Sequence, residues 1–317
     1  MKLLVTRRMT PRAERAISSR FEAEFRDETA GLTPDQAAAA LREYDYIMPT
    51  LGDRFTAEAF QGAPLRCRML GNFGAGYNHI DVAAARAAGV TVSNTPDVVT
   101  DPTADIALTL ILMTARRASL GERILRAGEW RGWQPTQLLG SHVSGKTVGI
   151  IGMGRIGKAI ARRCHFGFDM RVVFFNRSPV SALDFPAEQI DTLHDMLGQS
   201  DFVVVAVPGG AGTRHLIGAE ELNRLGAQGF IINIARGDVI DEAALIDALR
   251  DNRIAGAGLD VYEREPLVPD ELTALDNVTL LPHLGTATEE ARTAMAMRAL
   301  DNLIAVSEGR AAPDEIA

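Results

Sequence analysis

Cysteine, excess positive charge and long apolar runs are all scarce in this chain of 317 residues. The two cysteines, Cys67 and Cys164, are too few for a disulfide framework and lack metal-ligand spacing, so we expect a reducing, cytoplasmic compartment and no metal site. A formal net charge of -8 leaves no basic face to follow a phosphate backbone, which argues against nucleic-acid binding. The longest apolar stretch, IALTLILM at 106–113, is less than half a bilayer span, so no membrane association is expected.

The residues that are present predict roughly two globular domains of α/β class. Apolar side chains make up 46% of the chain and charged ones 23%, which is enough for each domain to bury a core. In the first hundred residues, short apolar runs alternate with helical patterns, and this alternation predicts a parallel sheet. The predicted strands are KLLV at 2–5, YDYIM at 44–48, RML at 68–70 and GVTVSN at 89–94.

A second alternation begins near Lys146, after a long apolar helix that follows Pro96 and Pro102. Its near-continuous apolar runs predict parallel strands covered on both faces. These runs are TVGII, RVVFF, FVVVAV, GFIINI, IAGAGL and VTLL. We expect the last helix, at about 288–307, to fold back on the first domain. The predicted domains are therefore 1–98 with 286–317, and 99–285.

A glycine motif lies between the first strand and the first helix of the second domain. Gly152, Gly154 and Gly157 have G-x-G-x-x-G spacing in TVGIIGMGRIGKAIARR. Such glycines permit a tight turn, close approach of the backbone to a pyrophosphate and close packing of the helix on the strand. A plain glycine-rich turn is the alternative, but the surrounding strand and helix favour dinucleotide binding.

The end of the next strand lacks the acid that an NAD site uses. About 20 residues after the glycines, where an Asp or Glu would accept the ribose hydroxyl, the chain has Asn176, Arg177 and Ser178. These side chains can donate hydrogen bonds to a 2′-phosphate, and Arg177 can pair with its charge. We therefore expect a preference for NADP(H), with NAD(H) as the alternative if Arg177 is only a solvated surface side chain.

Three later strands each end near a residue suited to catalysis. Arg236 follows GFIINI, Glu265 follows IAGAGL and His283 follows VTLL, and reactive groups in open parallel sheets lie at the carboxyl ends of strands. A planar guanidinium matches a carboxylate at two points, and a protonated His supported by a carboxylate can donate to a carbonyl oxygen. Singly, each has a structural alternative: Arg236 as partner of a nearby carboxylate, Glu265 as a solvated acid, and His283 as a structural donor.

Six segments in order make the chain resemble the D-isomer-specific 2-hydroxyacid dehydrogenase family, most closely its glyoxylate/hydroxypyruvate reductases. The segments are NFGAGYNHID, NTPDVVTDPTADIALTLIL, GKTVGIIGMGRIG, INIARGDVIDEAAL, AGLDVYEREP and LPHLGTAT, which span nearly the whole length. The resemblance implies two Rossmann-like, doubly wound parallel-sheet domains around an interdomain cleft, and a homodimer. The discontinuous first domain would bind substrate and the second the dinucleotide.

The resemblance also implies roles for individual residues. It makes Arg236 the group that binds the substrate carboxylate and keto oxygen, His283 the acid/base, and Glu265 the partner of that histidine. Further substrate contacts are the backbone amides of Ala75 and Gly76, where a simple turn is the alternative, with Leu51 and, from the neighbouring subunit, Trp133. Paired tryptophans are otherwise typical of packing. Further cofactor contacts are Thr103, Arg155, Ile156, Pro208, Thr213, Ala235, Asp260 and Gly285.

The function predicted from these residues is NADPH-dependent reduction of glyoxylate or hydroxypyruvate to the D-2-hydroxy acid. A hydride would pass to the carbonyl carbon while the pair His283 and Glu265 supplies the proton. Two alternatives stay open: a dehydrogenase for another 2-oxo acid that uses NADH, and a non-catalytic protein that senses dinucleotides. The intact Arg, Glu and His favour an enzyme over a sensor.

Overall fold

Parallel strands form two sheets in the computed structural model, which describes residues 1–62 and 64–316. The chain divides into a first unit, Met1–Val99 with Thr286–Ala317, and a second unit, Thr100–Gly285. The strands are β1 (Lys2–Val5), β2 (Glu22–Phe25), β3 (Tyr46–Met48), β4 (Met69–Gly71), β5 (Thr91–Ser93), β6 (Thr147–Ile151), β7 (Arg171–Phe175), β8 (Glu188–Gln189), β9 (Phe202–Val205), β10 (Phe230–Asn233), β11 (Gly256–Leu259) and β12 (Val278–Leu280).

Helices connect most of these strands. They are α1 (Pro11–Ser18), α2 (Pro34–Glu43), α3 (Val82–Ala87), α4 (Thr100–Ala115), α5 (Ala118–Arg126), α6 (Arg155–Phe168), α7 (Leu193–Leu197), α8 (Ala219–Leu225), α9 (Glu242–Arg250), α10 (Asp270–Thr273) and α11 (Glu289–Ser307). Two 3-10 turns cover Ala57–Phe60 and Gly237–Val239. In the described residues, no helix is both long and apolar enough to cross a membrane.

The first unit has a five-stranded sheet in the order β2-β1-β3-β4-β5. Local signals fix its helices: Thr33 accepts from the Gln36 amide while the Gln36 side chain accepts from the Thr33 amide, so α2 begins with a capping box. Helix α11 packs on β4, where a Cβ on Gly71 would lie 2.8 Å from the Leu303 side chain. The C-terminal helix therefore completes the core of the unit that begins the chain.

The second unit has a seven-stranded sheet in the order β12-β11-β10-β9-β6-β7-β8. The chain starts at β6, runs outward through β7 and β8, and then returns to continue from β9 on the other side of β6. This is the doubly wound order, and ligands of such sheets bind outside the carboxyl ends of the strands where the order reverses. The switch point lies between β6 and β9, which pair in parallel.

Burial on both faces explains why the central strands of the second unit are almost entirely apolar. Every residue of β9 and of β10 is buried, and β-branched side chains suit such a strand. Helix α4 packs against β10, β11 and α6 within this unit. Its close approach depends on Gly258, since a Cβ there would lie 2.9 Å from Thr114 Oγ1 and 3.0 Å from Leu110 Cβ.

The predicted α/β class with parallel sheets is confirmed, whereas two edge strands were not predicted. Strand β2 has the sequence EAEF, with no buried residue, and β8 is only two residues long. Edge strands bury less of their surface, so they lack the continuous apolar run that marked their neighbours.

Candidate active site

The glycine motif forms the turn between β6 and α6, and the space that a side chain would occupy differs at each of its three glycines. Gly152 has φ +96°, and a Cβ there would meet Ala206 O and Val207 Cγ1 at 2.8 Å. A Cβ on Gly157 would lie 2.1 Å from Gly152 O, so only glycine lets α6 pack this closely on the turn. Gly154 has no atom within 4 Å of a Cβ position, which leaves open space before the amino end of α6.

These three observations fit a bound dinucleotide. The turn and the packing fix the loop, while the open space at Gly154 lets a pyrophosphate approach the backbone. The N–H groups and the dipole at the start of a helix favour its negative charge. Arg155 is the first residue of α6, and Ile156 packs against the unit's core.

The side chain of Asn176 connects the end of β7 to the glycine loop. Its Oδ1 accepts from the Met153 amide at 3.1 Å, and its Nδ2 donates to Ser178 O at 2.8 Å. The amide of Asn176 is thus engaged at both ends. Arg177 and Ser178 are exposed beside it, so both of these polar side chains face solvent.

A second group of predicted cofactor residues lies after β11 and β12. Asp260 is buried and accepts from the amides of Leu284, at 2.6 Å, and Gly285, at 2.8 Å. A Cβ on Gly285 would lie 3.3 Å from Asp260 Oδ2 and 3.5 Å from Thr103 Oγ1. Burial raises the pKa of Asp260, while the two backbone hydrogen bonds and the charge of His283 oppose that shift.

The remaining predicted cofactor residues lie after β9 and β10. Thr213 Oγ1 donates to Pro208 O at 2.7 Å, which closes the loop after β9. Ala235 is buried, and its amide donates to Asn233 Oδ1 at 3.0 Å. The first segment follows β9, which borders the switch point, and the second follows β10, the next strand of the sheet; a dinucleotide is expected along this end of the strands.

His283 and Glu265 form a pair in the second unit. His283 Nδ1 lies 2.8 Å from Glu265 Oε2, and Glu265 Oε1 accepts from the Tyr262 amide at 3.1 Å. The carboxylate therefore orients the imidazole through Nδ1 and leaves Nε2 for another partner. The two side chains are 31% and 29% exposed, so a small molecule can reach them.

Electrostatics keep Glu265 ionised. Burial opposes its charge, but the hydrogen bond and charge of His283, the Tyr262 amide and the charge of Arg236 outweigh burial, so the pKa of Glu265 lies below its ordinary value. The ionised carboxylate is an acceptor for the Nδ1 proton of His283, and this contact leaves Nε2 facing away from Glu265. An Nε2–H in that position can donate a proton to a carbonyl oxygen.

Arg236 lies just after β10 in a loop that the buried Asn233 holds in place. Asn233 Nδ2 donates to Arg236 O at 2.9 Å, and a Cβ on Gly237 would lie 1.8 Å from the Tyr262 carbonyl carbon. The Arg236 loop therefore lies against the segment that leads to Glu265. Burial lowers the pKa of Arg236, while the charges of Glu265 and Asp238 oppose that shift. The predicted catalytic residues thus share one end of the sheet.

The predicted substrate residues Ala75 and Gly76 lie in the first unit, in a loop after β4. Its carbonyl oxygens are held by amides: Asn72 Nδ2 donates to Gly74 O at 2.9 Å and to Gly76 O at 3.1 Å, and Asn94 Nδ2 donates to Ala75 O at 2.8 Å. In the described part of the chain, no residue accepts from the amides of Ala75 and Gly76. Those N–H groups suit an anion.

Leu51 lies beside this loop, in the turn after β3. Its side chain is 46% exposed, and the Phe73 amide donates to Pro49 O at 2.9 Å, which joins the two loops. The fully buried Asp53 fixes the turn: Oδ2 accepts from Thr6 Oγ1 at 2.6 Å and from the Thr50 amide at 2.8 Å. Leu51, Ala75 and Gly76 therefore lie at adjacent strand ends of the first sheet.

Trp133 belongs to an exposed segment that follows α5. Its side chain is 79% exposed, and Leu139 is 66% exposed. Trp130 donates from Nε1 to Gln137 Oε1 at 3.4 Å. No residue of α5 is buried. The tryptophan is thus separate from the second unit's core.

One group of possible metal ligands occurs among the described residues: His194, Glu220 and Glu221. Hydrogen bonds within the protein already engage two of the three, His194 and Glu221. Glu221 Oε2 accepts from the Gly218 amide at 2.9 Å, and Oε1 lies 2.9 Å from His194 Nε2. This is a helix cap with a histidine partner.

Several positioning residues were not predicted, namely Asp53, Asn72, Asn94, Asn233 and Tyr262. Asp53 lies outside the segments that carry the family resemblance, and the other four lie within them but were given no role. Asn72 and Asn94 directly follow a strand and Asn233 ends one, and this placement was a signal in the sequence. Their hydrogen-bond partners follow from the fold.

A sheet of this strand order, with a glycine loop at its switch point, is typical of dinucleotide-binding domains. The family model for D-isomer specific 2-hydroxyacid dehydrogenase, NAD binding domain, matches residues 108–285. The chain belongs to this family. The predicted family and the use of an NAD(P)(H) cofactor are both confirmed.

Relatives agree with this membership over nearly the full length. The glyoxylate reductase of Thermococcus kodakarensis is 42% identical over 98% of this chain and 95% of its own. The NADPH-dependent glyoxylate/hydroxypyruvate reductase of Sinorhizobium meliloti, solved with NADP and malonate, is 37% identical with a TM-score of 0.88, covering 100% of this chain and 96% of its own. A glyoxylate reductase from Paecilomyes thermophila is 33% identical with a TM-score of 0.86, covering 100% of this chain and 98% of its own.

Proposed function

We propose that this protein reduces glyoxylate or hydroxypyruvate to the D-2-hydroxy acid with NADPH. The observation that carries this proposal is the pair of His283 and Glu265, 2.8 Å apart, at the sheet end that also carries Arg236 and the glycine loop. The names of the Thermococcus and Sinorhizobium relatives support the substrate class. A pure dinucleotide sensor would need none of these three side chains.

The residues have distinct roles in the proposed reaction. When bound, a reduced nicotinamide supplies a hydride for the substrate's carbonyl carbon. Arg236 binds the substrate carboxylate and polarises the keto oxygen through its N–H groups. His283 donates the Nε2 proton to that oxygen and is then neutral, and it regains a proton from solvent before the next turnover. Glu265 holds Nδ1, so Nε2 points away from the carboxylate.

We assign the amides of Ala75 and Gly76 to a second contact with the substrate carboxylate, and Leu51 to an apolar contact. Their support is geometric: the carbonyls of that loop are engaged by Asn72 and Asn94, and the N–H groups of Ala75 and Gly76 are left for an anion. Small 2-oxo acids carry one carboxylate, which suits two N–H donors.

We further propose a cytoplasmic homodimer that uses the exposed segment around Trp133. Leu125, Trp133 and Leu139 are 62%, 79% and 66% exposed, and exposed apolar groups at this density are typical of interfaces. Trp133 would then contact the substrate of the neighbouring subunit. The buried free thiols of Cys67 and Cys164 suit a reducing compartment.

Cofactor preference gives the first mutational prediction. The double variant Asn176→Asp with Arg177→Ala should lower the NADPH to NADH ratio of kcat/KM about 10-fold to 100-fold, because it removes a charge-assisted bond and adds a like charge. Initial rates with both cofactors measure the ratio. Arg250→Ala, at an exposed arginine of α9, is the control. An unchanged ratio in the double variant would mean that this strand end does not recognise the 2′-phosphate.

The function itself is tested by initial rates of NADPH and NADH oxidation with glyoxylate and with hydroxypyruvate. Faster turnover with NADPH is the expected result. Equal or better turnover with NADH would keep the reaction and refute the cofactor preference. Dinucleotide binding without turnover of either acid would refute glyoxylate and hydroxypyruvate as substrates and would favour another 2-oxo acid.

A further inference from the structure

Gln189 lies on the edge strand β8 and makes three hydrogen bonds to the loop that follows β7. Its Nε2 donates to Asn176 O and to Ser178 O, both at 3.2 Å. Its Oε1 accepts from the Val180 amide at 3.0 Å. One side chain therefore holds the backbone at three places around Arg177.

Strand pairing holds Gln189 in turn. Gln189 is in register with Phe174 of β7, and the Ile190 amide donates to Phe174 O at 2.8 Å. The side chain is half-buried, so the strand presents it to the loop in a fixed position. The three hydrogen bonds that Gln189 makes to the loop, called the clamp below, are therefore anchored to the sheet.

The clamp turns the loop's carbonyl oxygens inward. Ser178 O receives two donors, Gln189 Nε2 and Asn176 Nδ2, and Asn176 O receives one. Carbonyl oxygens repel phosphate oxygens, whereas the exposed Arg177 and Ser178 side chains attract them. With those carbonyls engaged, the loop presents donors and few acceptors to an incoming anion.

We infer that Gln189 is a positioning residue that sets the affinity for the 2′-phosphate of NADP(H). This inference depends on the proposed NADPH preference. A loop that is already ordered loses less entropy when it binds, so removing the clamp weakens a ligand that uses Arg177 and Ser178. NADH has a 2′-hydroxyl in place of this phosphate, so it gains much less from the clamp.

The test compares ligands with and without a 2′-phosphate. In Gln189→Ala, we expect the KM for NADPH and the Kd for 2′,5′-ADP, measured by calorimetry, to rise about 10-fold. The KM for NADH, the Kd for 5′-AMP and kcat should stay within about twofold. Gln189→Met, which keeps the length of the side chain but makes no such hydrogen bonds, should behave in the same way and controls for packing.

Gln199→Ala is the matched control. Gln199 accepts from Arg171 and donates to Asp195 O, and it makes no hydrogen bond to residues 176–180 of the same unit. It should change none of these constants. Thermal melting of each variant shows whether the fold is kept.

The outcomes separate the inference from the function on which it depends. A wild-type enzyme that binds 2′,5′-ADP no better than 5′-AMP would overturn both the cofactor preference and the role of Gln189. A wild type with the preference, and a Gln189→Met variant that keeps it in full, would overturn only the role of Gln189. Equal weakening of NADPH and NADH would make Gln189 merely structural and would also overturn the inference.

Discussion

Replacing His283 by alanine is expected to lower kcat for glyoxylate reduction by about two to four decades while dinucleotide affinity is kept. The carbonyl oxygen becomes an alkoxide as hydride arrives. Without the Nε2 proton of His283, only water remains to protonate this alkoxide. His283 contacts Glu265 and lies outside the glycine loop, so NADPH binding should survive. Steady-state rates give kcat, and quenching of protein fluorescence by NADPH gives Kd.

Two further variants make this result specific. His142→Ala removes an exposed histidine and should leave kcat unchanged. Glu265→Gln keeps a hydrogen-bond acceptor at Nδ1 but removes the charge, so its kcat should lie between those of wild type and His283→Ala. Because the pKa of Glu265 lies below its ordinary value, the carboxylate loses its charge only as pH falls through that lowered value. Near wild-type turnover by His283→Ala would exclude the histidine as proton donor.

The sequence predicted the fold well wherever burial is two-sided. Central strands such as β9 and β10 carry continuous apolar runs because helices cover both faces. Strands β2 and β8 lie at sheet edges, where polar residues such as Glu22 and Gln189 are tolerated. The alternation of EAEF covers only four residues and β8 has only two, which is too short for a pattern to separate either strand from a loop. This is why the residue that clamps the Asn176 loop lay on a strand that could not be predicted.

The candidate site, like the fold, was predicted from the sequence only in part. Spacing located Asn176 at the end of β7, because the motif fixes the distance from the glycines. Spacing did not reveal that its amide joins Met153 to Ser178, since that depends on how two loops meet. Asp53 is a comparable case: its partners Thr6 and Leu32 lie far along the chain, so only the fold brings them to its carboxylate.

Replacing Arg236 by alanine is expected to lower kcat/KM for glyoxylate by about two to four decades. Two charge-assisted hydrogen bonds are lost, each worth about 1.5–3 kcal/mol, and 1.4 kcal/mol corresponds to tenfold. We expect KM for glyoxylate to rise and kcat to fall, because the same guanidinium binds the carboxylate in the ground state and stabilises charge on the keto oxygen as hydride is transferred. The KM for NADPH should change little.

Chemical rescue distinguishes lost chemistry from lost structure. Arg236 also donates from Nη1 to Ala235 O at 2.6 Å, so its removal can disturb the loop. Added guanidinium should restore part of the activity of Arg236→Ala if the side chain acts on substrate, because a free cation then fills the same space. Arg236→Lys keeps the charge but not the planar pair of donors, so it should recover binding better than turnover. If Arg236→Ala instead kept its kcat/KM, the substrate carboxylate would have to be held elsewhere, and the amides of Ala75 and Gly76 would become the main anion site.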